Sequence, residues 1–515
     1  MVSSLIRGKY VICEITGPNS AKVITDGAVF QRNGEIIEVG TYNNLRVQHP
    51  TEQVIGSLKQ VVIPGLVNNH VHVGITPFQL GSPELYLEAG WLLTRMIGAR
   101  KVDPYLSHLY GATQMIKSGT TTVQVLAYGL DPIDLNAAEM IIKAYEDSGM
   151  RVSYGTSISN KKHLLDATVD PDEAFLSRLP SELAKHFKPK ITQENLSAEE
   201  YTANIQEVCE KYAGANRERI RIVIAPSNVH RCSDDLLLAL KQTAVKYKIG
   251  IHIHLQETIY QKLYGLRTWG KTPLQHLHDL EFLGRDVTCA HGVWLTDEDI
   301  DLMASTGVSV CHLASSNLRL QSGIAPINRL IEKGVRVSLG TDEAGINDDL
   351  DMLQEMRLVL RLHRVPGIEK TPLTANQVLQ MATVNSANNT SFGNRIGSIE
   401  PGKRADLVLI NLQNMEEPYL DEEVPIIDAV IRRGKCTDVD TVIVDGDMIL
   451  QNRQLTRIDS DNLIKELRQS LVEHNPSRWI ERRELMKQLE PYLRNLYAGA
   501  IEGASPPHYY YNAES

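Results

Sequence analysis

Three kinds of hydrophobic pattern follow one another along the chain. Up to about residue 61, short runs alternate apolar and polar positions: "KYVICEITG", "SAKVITDGAVFQRNGEIIEVG" and "EQVIGSLKQVVIP". A period of two is that of a strand with one buried face. The runs break at Asp26-Gly27 and Asn33-Gly34, dipeptides that favour the left-handed conformations of hairpin turns. The same flavour returns near the other end, in "IGSIEPGKRADLVLINL" and "DTVIVDGDMILQNRQL", punctuated by Pro401-Gly402 and Asp445-Gly446. Two β-rich pieces at opposite ends are expected to join as one small β-sandwich beside whatever lies between them.

In the middle, apolar runs alternate with amphipathic stretches. The runs are "VVIPGLVNNHVH", "GTTTVQVLA", "RVSYGTSI", "RIRIVIAPS", "IGIHIHLQE", "VTCAH", "VSVCHL" and "VRVSLGTD". Stretches such as "DDLLLALKQTAVKYK" and "TDEDIDLMAST" fall between them with helical periodicity. Eight βα units predict an α/β fold, a (β/α)8 TIM-type barrel, with insertions such as residues 160–200 forming loops and helices over its mouth. An open doubly wound sheet is the alternative, but no GxGxxG turn supports it. After Thr456 the pattern becomes helical in "DNLIKELRQSLVEH" and "RRELMKQLEPYLRNLYAGAI", and the ending "GASPPHYYYNAES" reads as a disordered tail or as a tyrosine cluster docked on a neighbour. The expected organisation is 1–61 and 399–458 for the two parts of the sandwich, 62–398 for the barrel, and 459–515 for a helical segment and tail.

Composition narrows the partners. The 515 residues are 42% hydrophobic, enough for a large core and more than one domain. The formal net charge is -10 and no basic stretch tracks a phosphate backbone, which argues against nucleic acid and against an anionic membrane surface. No apolar run reaches membrane-span length, and "MVSSLIRGKYVICEI" lacks a long apolar region followed by a cleavage site. The six cysteines form no CxxC pair and read as reduced, mostly buried thiols. A cytoplasmic protein acting on a small molecule is expected.

The chemistry gathers where the apolar runs end. His70 and His72 are two apart in a strand, so they face one side about 7 Å apart, and two converging imidazoles suit a divalent metal. Alone, an HxH is more simply a pair of ordinary strand histidines. Yet "IGIHIHLQET" ends in His254 with Glu257 three residues on, "VTCAHGVWL" in His291, and "VRVSLGTDEAG" in Asp342. In a (β/α)8 barrel the chemistry sits at the C-terminal strand ends. The order His-x-His, His, His, Asp is hard to obtain there by chance.

This arrangement resembles the amidohydrolase superfamily, and within it the aminohydrolase branch of cytosine, guanine and S-adenosylhomocysteine deaminases and s-triazine hydrolases. The resemblance rests on "PGLVNNHVH", "HIHLQET", "CAHGVWL", "SNLRLQSGIAP", "SLGTDEAG" and "GSIEPGKRADLVLI", and covers nearly the whole chain. It implies that His70, His72, His254 and Asp342 bind one divalent ion, Zn²⁺ first and Fe²⁺ as the alternative, a donor set that chemistry also favours. Such an ion makes hydroxide available at neutral pH. It further implies that Asp342 also accepts a proton, that Glu257 shuttles it to a ring nitrogen and the leaving group, and that His291 orients the attacking water or polarises the group under attack.

Departures from the resemblance refine it. "RIRIVIAPSNVHRCSD" lacks the lysine that a two-metal site would use, which favours one ion. Where purine-type relatives carry a substrate-touching histidine, this chain has Ser227, with His230 three residues later; Val125 stands where some carry an acid. Both changes argue against adenosine-like substrates. His252 lies one layer beneath His254 and is expected to support rather than ligate, while His312 is equally a substrate contact or a packed histidine. The expected activity is hydrolytic deamination of a small nitrogen-rich heterocycle. Alternatives are release of another group (an amine from a urea or amide, thiolate, halide) at the same metal, and a non-catalytic assembly protein. Acidic barrels of this branch usually associate, so a homodimer or larger homo-oligomer is expected.

Overall fold

The computed structural model describes residues 3–501 apart from 73, 83–99, 128–134, 162–164, 166, 169–171, 192–195, 213–218, 344, 368–371 and 473–475. Four strands open the chain: β1 (Ser3–Gly17), β2 (Ser20–Arg32), β3 (Glu35–Thr41) and β4 (Gln53–Pro64). Nine short ones follow: β5 (Leu66–Val71), β6 (Thr120–Ala127), β7 (Arg151–Ile158), β8 (Ile220–Ile222), β9 (Ala225–Pro226), β10 (Ile251–Leu255), β11 (Val287–His291), β12 (Ser309–His312) and β13 (Val337–Leu339). The last four are β14 (Leu407–Asn411), β15 (Val439–Val444), β16 (Asp447–Gln451) and β17 (Gln454–Leu455).

The two end segments do unite. They form one eight-stranded sheet in the order β17-β16-β15-β14-β4-β1-β2-β3, in place of two separately paired facing sheets. The seam is antiparallel pairing of β14 with β4, with Leu409 opposite Val62. Asn33 (φ 52°) and Gly34 (φ 76°) turn β2 into β3, and Asp445 (φ 53°) and Gly446 (φ 78°) turn β15 into β16. These turns also press together, since a Cβ on Gly34 would strike the Asp445 carbonyl. Asp26-Gly27, expected as a turn, instead lies inside β2. Asp26 takes φ 42° there, and its carboxylate holds Arg7 of β1 at 2.8 Å. Long-range pairing with β1 outweighs the local turn preference.

The middle strands are parallel and lie in two arcs. One runs β5-β6-β7-β8 with β9 added to β7, and the other runs β10-β11-β12-β13. "RIRIVIAPS", read as one run, is therefore two short strands. Isolated backbone bonds join the arcs at both edges: Ile224 N donates to the Gly250 carbonyl (3.0 Å), His252 N to Ile224 (2.8 Å) and His254 N to Ser227 (3.2 Å) at one, and Asp342 N to the His70 carbonyl (2.9 Å) at the other. No continuous ladder closes the ring among the described residues. β5 and β6 are buried along their whole length, as strands covered on both faces must be.

Arg151, at the start of β7, pins this layer to the end sheet. It is 1% exposed and pairs with Asp406 at 2.6 Å and with Asp445. The helix Ile259–Trp269, which begins two residues after Glu257, packs with Ser181–Ile191 from the insertion and with the C-terminal helix Pro476–Ala500. Their apolar cluster includes Phe187, Tyr260, Tyr264, Leu489 and Tyr497. The helical pattern after Thr456 is realised as Ser460–Val472 and Pro476–Ala500, and the tyrosine-rich tail lies outside the described residues. No described helix is long and apolar enough to cross a membrane.

Candidate metal centre

β5 delivers His70, and His72 follows immediately after its last residue, Val71, with its ring turned to the same place. Gly340, following β13, makes room for them: a Cβ there would lie 2.8 Å from the His70 backbone nitrogen. β10 delivers His254. The three Nε2 atoms converge, His70 to His72 at 3.0 Å and His72 to His254 at 3.1 Å. Asp342 Oδ1 stands 3.8 Å from His70 Nε2 and 3.5 Å from His72 Nε2. All four residues are buried.

The opposite ring nitrogens decide what those Nε2 atoms present. His72 Nδ1 meets the Leu126 carbonyl at 2.6 Å, and His254 Nδ1 meets the Ser227 carbonyl at 2.6 Å. A carbonyl can only accept, so both protons reside on Nδ1 and both Nε2 atoms offer lone pairs. Burial and the neighbouring imidazoles hold His70 well below the usual histidine range, so it is neutral at pH 7. Imidazoles bound to one ion at about 2.0–2.1 Å, at right to tetrahedral angles, sit roughly 2.8–3.4 Å apart. The observed spacings fall in that interval, and two of the three imidazoles are already held in the ligating tautomer, so the donor set fits one divalent cation.

Glu257 and His291 flank the cluster. Glu257 Oε2 lies 3.5 Å from His291 Nε2, and its Oε1 accepts a hydrogen bond from Ser322 Oγ at 3.2 Å. His291 Nδ1 is 2.8 Å from Asn317 Oδ1, which keeps that proton on Nδ1 and leaves Nε2 as an acceptor. Burial pushes His291 down to about 4, against the opposing effect of the Asn317 bond. Its Nε2 also lies 4.0 Å from Asp342 Oδ2, the oxygen that accepts from Ser316 Oγ at 2.7 Å. Gln256 (φ 45°), His291 (φ 70°) and Asp342 (φ 56°) all take left-handed backbone at their strand ends. That conformation is uncommon for such residues and collects at functional sites.

The structure thus gathers His70, His72, His254, Glu257, His291 and Asp342 at one place. His252 sits beneath them, with Nε2 2.9 Å from His70 Nδ1. His312 is fully buried and paired with His363, Nε2 to Nε2 at 2.9 Å. His230 is buried with its ring against Tyr264. Ser227 serves the site through its carbonyl. Asn317, Ser316, Ser322 and Gln124 were not singled out from the sequence. The first three lie in "SNLRLQSG", whose polar density was the available signal, whereas Gln124 stands in a strand without any.

Residues 61–449 match the sequence pattern of the amidohydrolase family. The chain is 32% identical over 467 residues to a 5-methylthioadenosine/S-adenosylhomocysteine deaminase of Thermodesulfovibrio yellowstonii, spanning 89% of this chain and 96% of that protein. It is 31% identical over 477 residues to a 5'-deoxyadenosine deaminase of Methanosarcina mazei, spanning 92% and 98%. Among solved structures it is similar to an adenosine deaminase from Xanthomonas campestris with bound zinc, with a TM-score of 0.74 at 26% identity, covering 91% of this chain and 98% of the other.

Proposed function

The chain belongs to the amidohydrolase family, and on that premise we propose that it uses one divalent ion, Zn²⁺, held by His70, His72, His254 and Asp342, to deaminate an amino-substituted nitrogen heterocycle. It is a hydrolase of carbon–nitrogen bonds. The observation that carries the reading is the convergence of three Nε2 atoms and one carboxylate beside the Glu257–His291 pair. Zinc is favoured over iron by the donor set and by the zinc bound in the Xanthomonas enzyme.

When bound, the ion supplies Lewis acidity, lowering the pKa of water from about 15.7 to about 7. The chain's own groups do the rest. Neutral His291, with its proton fixed on Nδ1, accepts at Nε2 and orients the attacking water; polarising the group under attack would need a donor there. Glu257 takes a proton at Oε2 and returns it to a ring nitrogen or the departing amine, while Ser322 anchors Oε1. Asp342 Oδ1 faces the imidazoles while Ser316 holds its Oδ2. One water is consumed and one ammonia released.

The relatives are named for adenosine derivatives, whereas Ser227 and Val125 depart from the purine-type pattern. The proposed substrate class is therefore the amino heterocycle, without commitment to a nucleoside. We further propose a closed (β/α)8 barrel flanked by a sandwich-like end sheet, with divisions at 61, 398 and 458, in a cytoplasmic homodimer or larger assembly without nucleic-acid or membrane partners. Elemental analysis of protein purified without chelator, followed by a panel of adenosine derivatives, aminopyrimidines, pterins, triazines and ureas read by ammonia release, tests the function. About one ion per chain and ammonia from at least one heterocycle are expected. Two ions per chain overturn the mononuclear site, and ammonia from none of the panel overturns the deaminase reading.

A further inference from the structure

His72 and His254 are oriented by carbonyls, which can only accept. His70 differs. Its Nδ1 faces His252 Nε2 at 2.9 Å, and an imidazole nitrogen can either donate or accept. His252 Nδ1 in turn faces the side-chain amide of Gln124 at 2.5 Å, and the other end of that amide lies 3.2 Å from Ser153 Oγ. His252 and Gln124 are both fully buried, so no water competes for these positions.

The direction of this chain decides the state of His70. As the amide stands, its NH₂ donates to His252 Nδ1 and to the Asn69 carbonyl (3.3 Å), His252 Nε2–H donates to His70 Nδ1, and the His70 proton is left on Nε2. In that state His70 cannot ligate through Nε2. A half-turn of the amide reverses everything: Oε1 accepts from His252 Nδ1–H, His252 Nε2 accepts from His70 Nδ1–H, and His70 Nε2 becomes a lone pair aimed at His72 Nε2 3.0 Å away. The freed NH₂ then faces Ser153 Oγ, which accepts as readily as it donates. The two settings are unequal, because the half-turn gives up the bond from Gln124 Nε2 to the Asn69 carbonyl (3.3 Å) and the acceptor of the Ser153 hydroxyl; the first is the resting one, and an ion at His70 Nε2 favours the second. Only one binds metal.

We propose that His252 and Gln124 are positioning residues that set which nitrogen of His70 carries its proton, and thereby the affinity of the four-residue site for its ion. The inference rests on the metal reading above. It extends outward the rule that partners behind the ligands fix their tautomers, here through a glutamine two residues removed from the ion.

Two pairs of full-length variants test it, with Zn²⁺ affinity measured by competition against a chromophoric chelator and melting of the metal-free proteins recorded alongside. Gln124→Glu and His252→Gln keep an acceptor, whereas Gln124→Met and His252→Leu remove it. The non-accepting variants should bind Zn²⁺ about 10–100-fold more weakly than wild type, and their accepting counterparts within about threefold of it or tighter. Equal affinity within each pair would overturn the relay and leave packing as the explanation. Should a non-accepting variant fail to fold, its accepting counterpart decides, because a tenfold loss in Gln124→Glu contradicts the proposal by itself. Wild-type protein that holds no Zn²⁺ would refute the metal reading; tight wild-type binding with indifferent variants would refute only the relay.

Discussion

Glu257→Gln separates the proton chemistry from the architecture. The substitution is nearly isosteric, and the surviving carbonyl can still accept from Ser322 Oγ, now 3.2 Å from Oε1. The backbone bond from Glu257 N to Gln261 Oε1, 2.9 Å, is untouched. The new NH₂ finds an acceptor in His291 Nε2, 3.5 Å from the present Oε2. The residue is 2% exposed, so exchanging a carboxylate for an amide there does not strand an unpaired group. Metal content and melting temperature should stay near wild type, because Glu257 is outside the four-residue ligand set. What disappears is the group that takes and returns a proton. General acid–base catalysis is worth about 10²–10⁴-fold, or roughly 2.7–5.4 kcal/mol of barrier. Turnover of whichever panel substrate releases ammonia should fall by that factor in a continuous ammonia-coupled assay, with a smaller change in KM. Wild-type turnover in a metal-loaded Glu257→Gln protein would show the proposed proton route to be wrong even with fold and ion intact.

Asp342→Asn should lose both Zn²⁺ affinity and turnover, because it removes the ligand charge and its single carbonyl oxygen cannot both face the imidazoles and accept from Ser316 Oγ; unchanged metal content on dialysis would take Asp342 out of the ligand set. Arg151→Met strands Asp406 and Asp445 in the interior, although Arg404 and Arg219 still reach Asp445, and should cost about 3–5 kcal/mol in urea unfolding. A loss under about 1 kcal/mol would mean the cluster is not a stabilising clamp. Burial holds His108 and His363 down at about 4, below the ordinary 6.5, so between those values the unfolded chain binds protons that the folded chain does not. Stability is therefore full above pH 6.5 and falls as the pH drops towards 4. His108→Gln should lose about 1–2 kcal/mol less than wild type between pH 7 and pH 5, and equal losses would contradict a neutral His108.

Much of this molecule is written locally. The two-residue spacing of His70 and His72 puts them on one face of any strand, and the apolar run before each polar ending marks where that strand stops. That is why His254, His291 and Asp342 were legible beside them. Asn33-Gly34 and Asp445-Gly446 were legible as turns because a left-handed pair is a local property. Asp26-Gly27 carries the same signal and became strand, because β1 offers it a partner and an arginine that no local reading contains. The groups behind the site belong to that second kind. Asn317 reaches His291 across 26 positions, Gln124 reaches His252 across 128, and Asp406 reaches Arg151 across 255. An amide or hydroxyl looks the same in sequence whether it faces water or fixes the proton of a buried imidazole. Hydrogen bonds act over about 3 Å of space irrespective of distance along the chain, so only the packed strands decide which of the two it does.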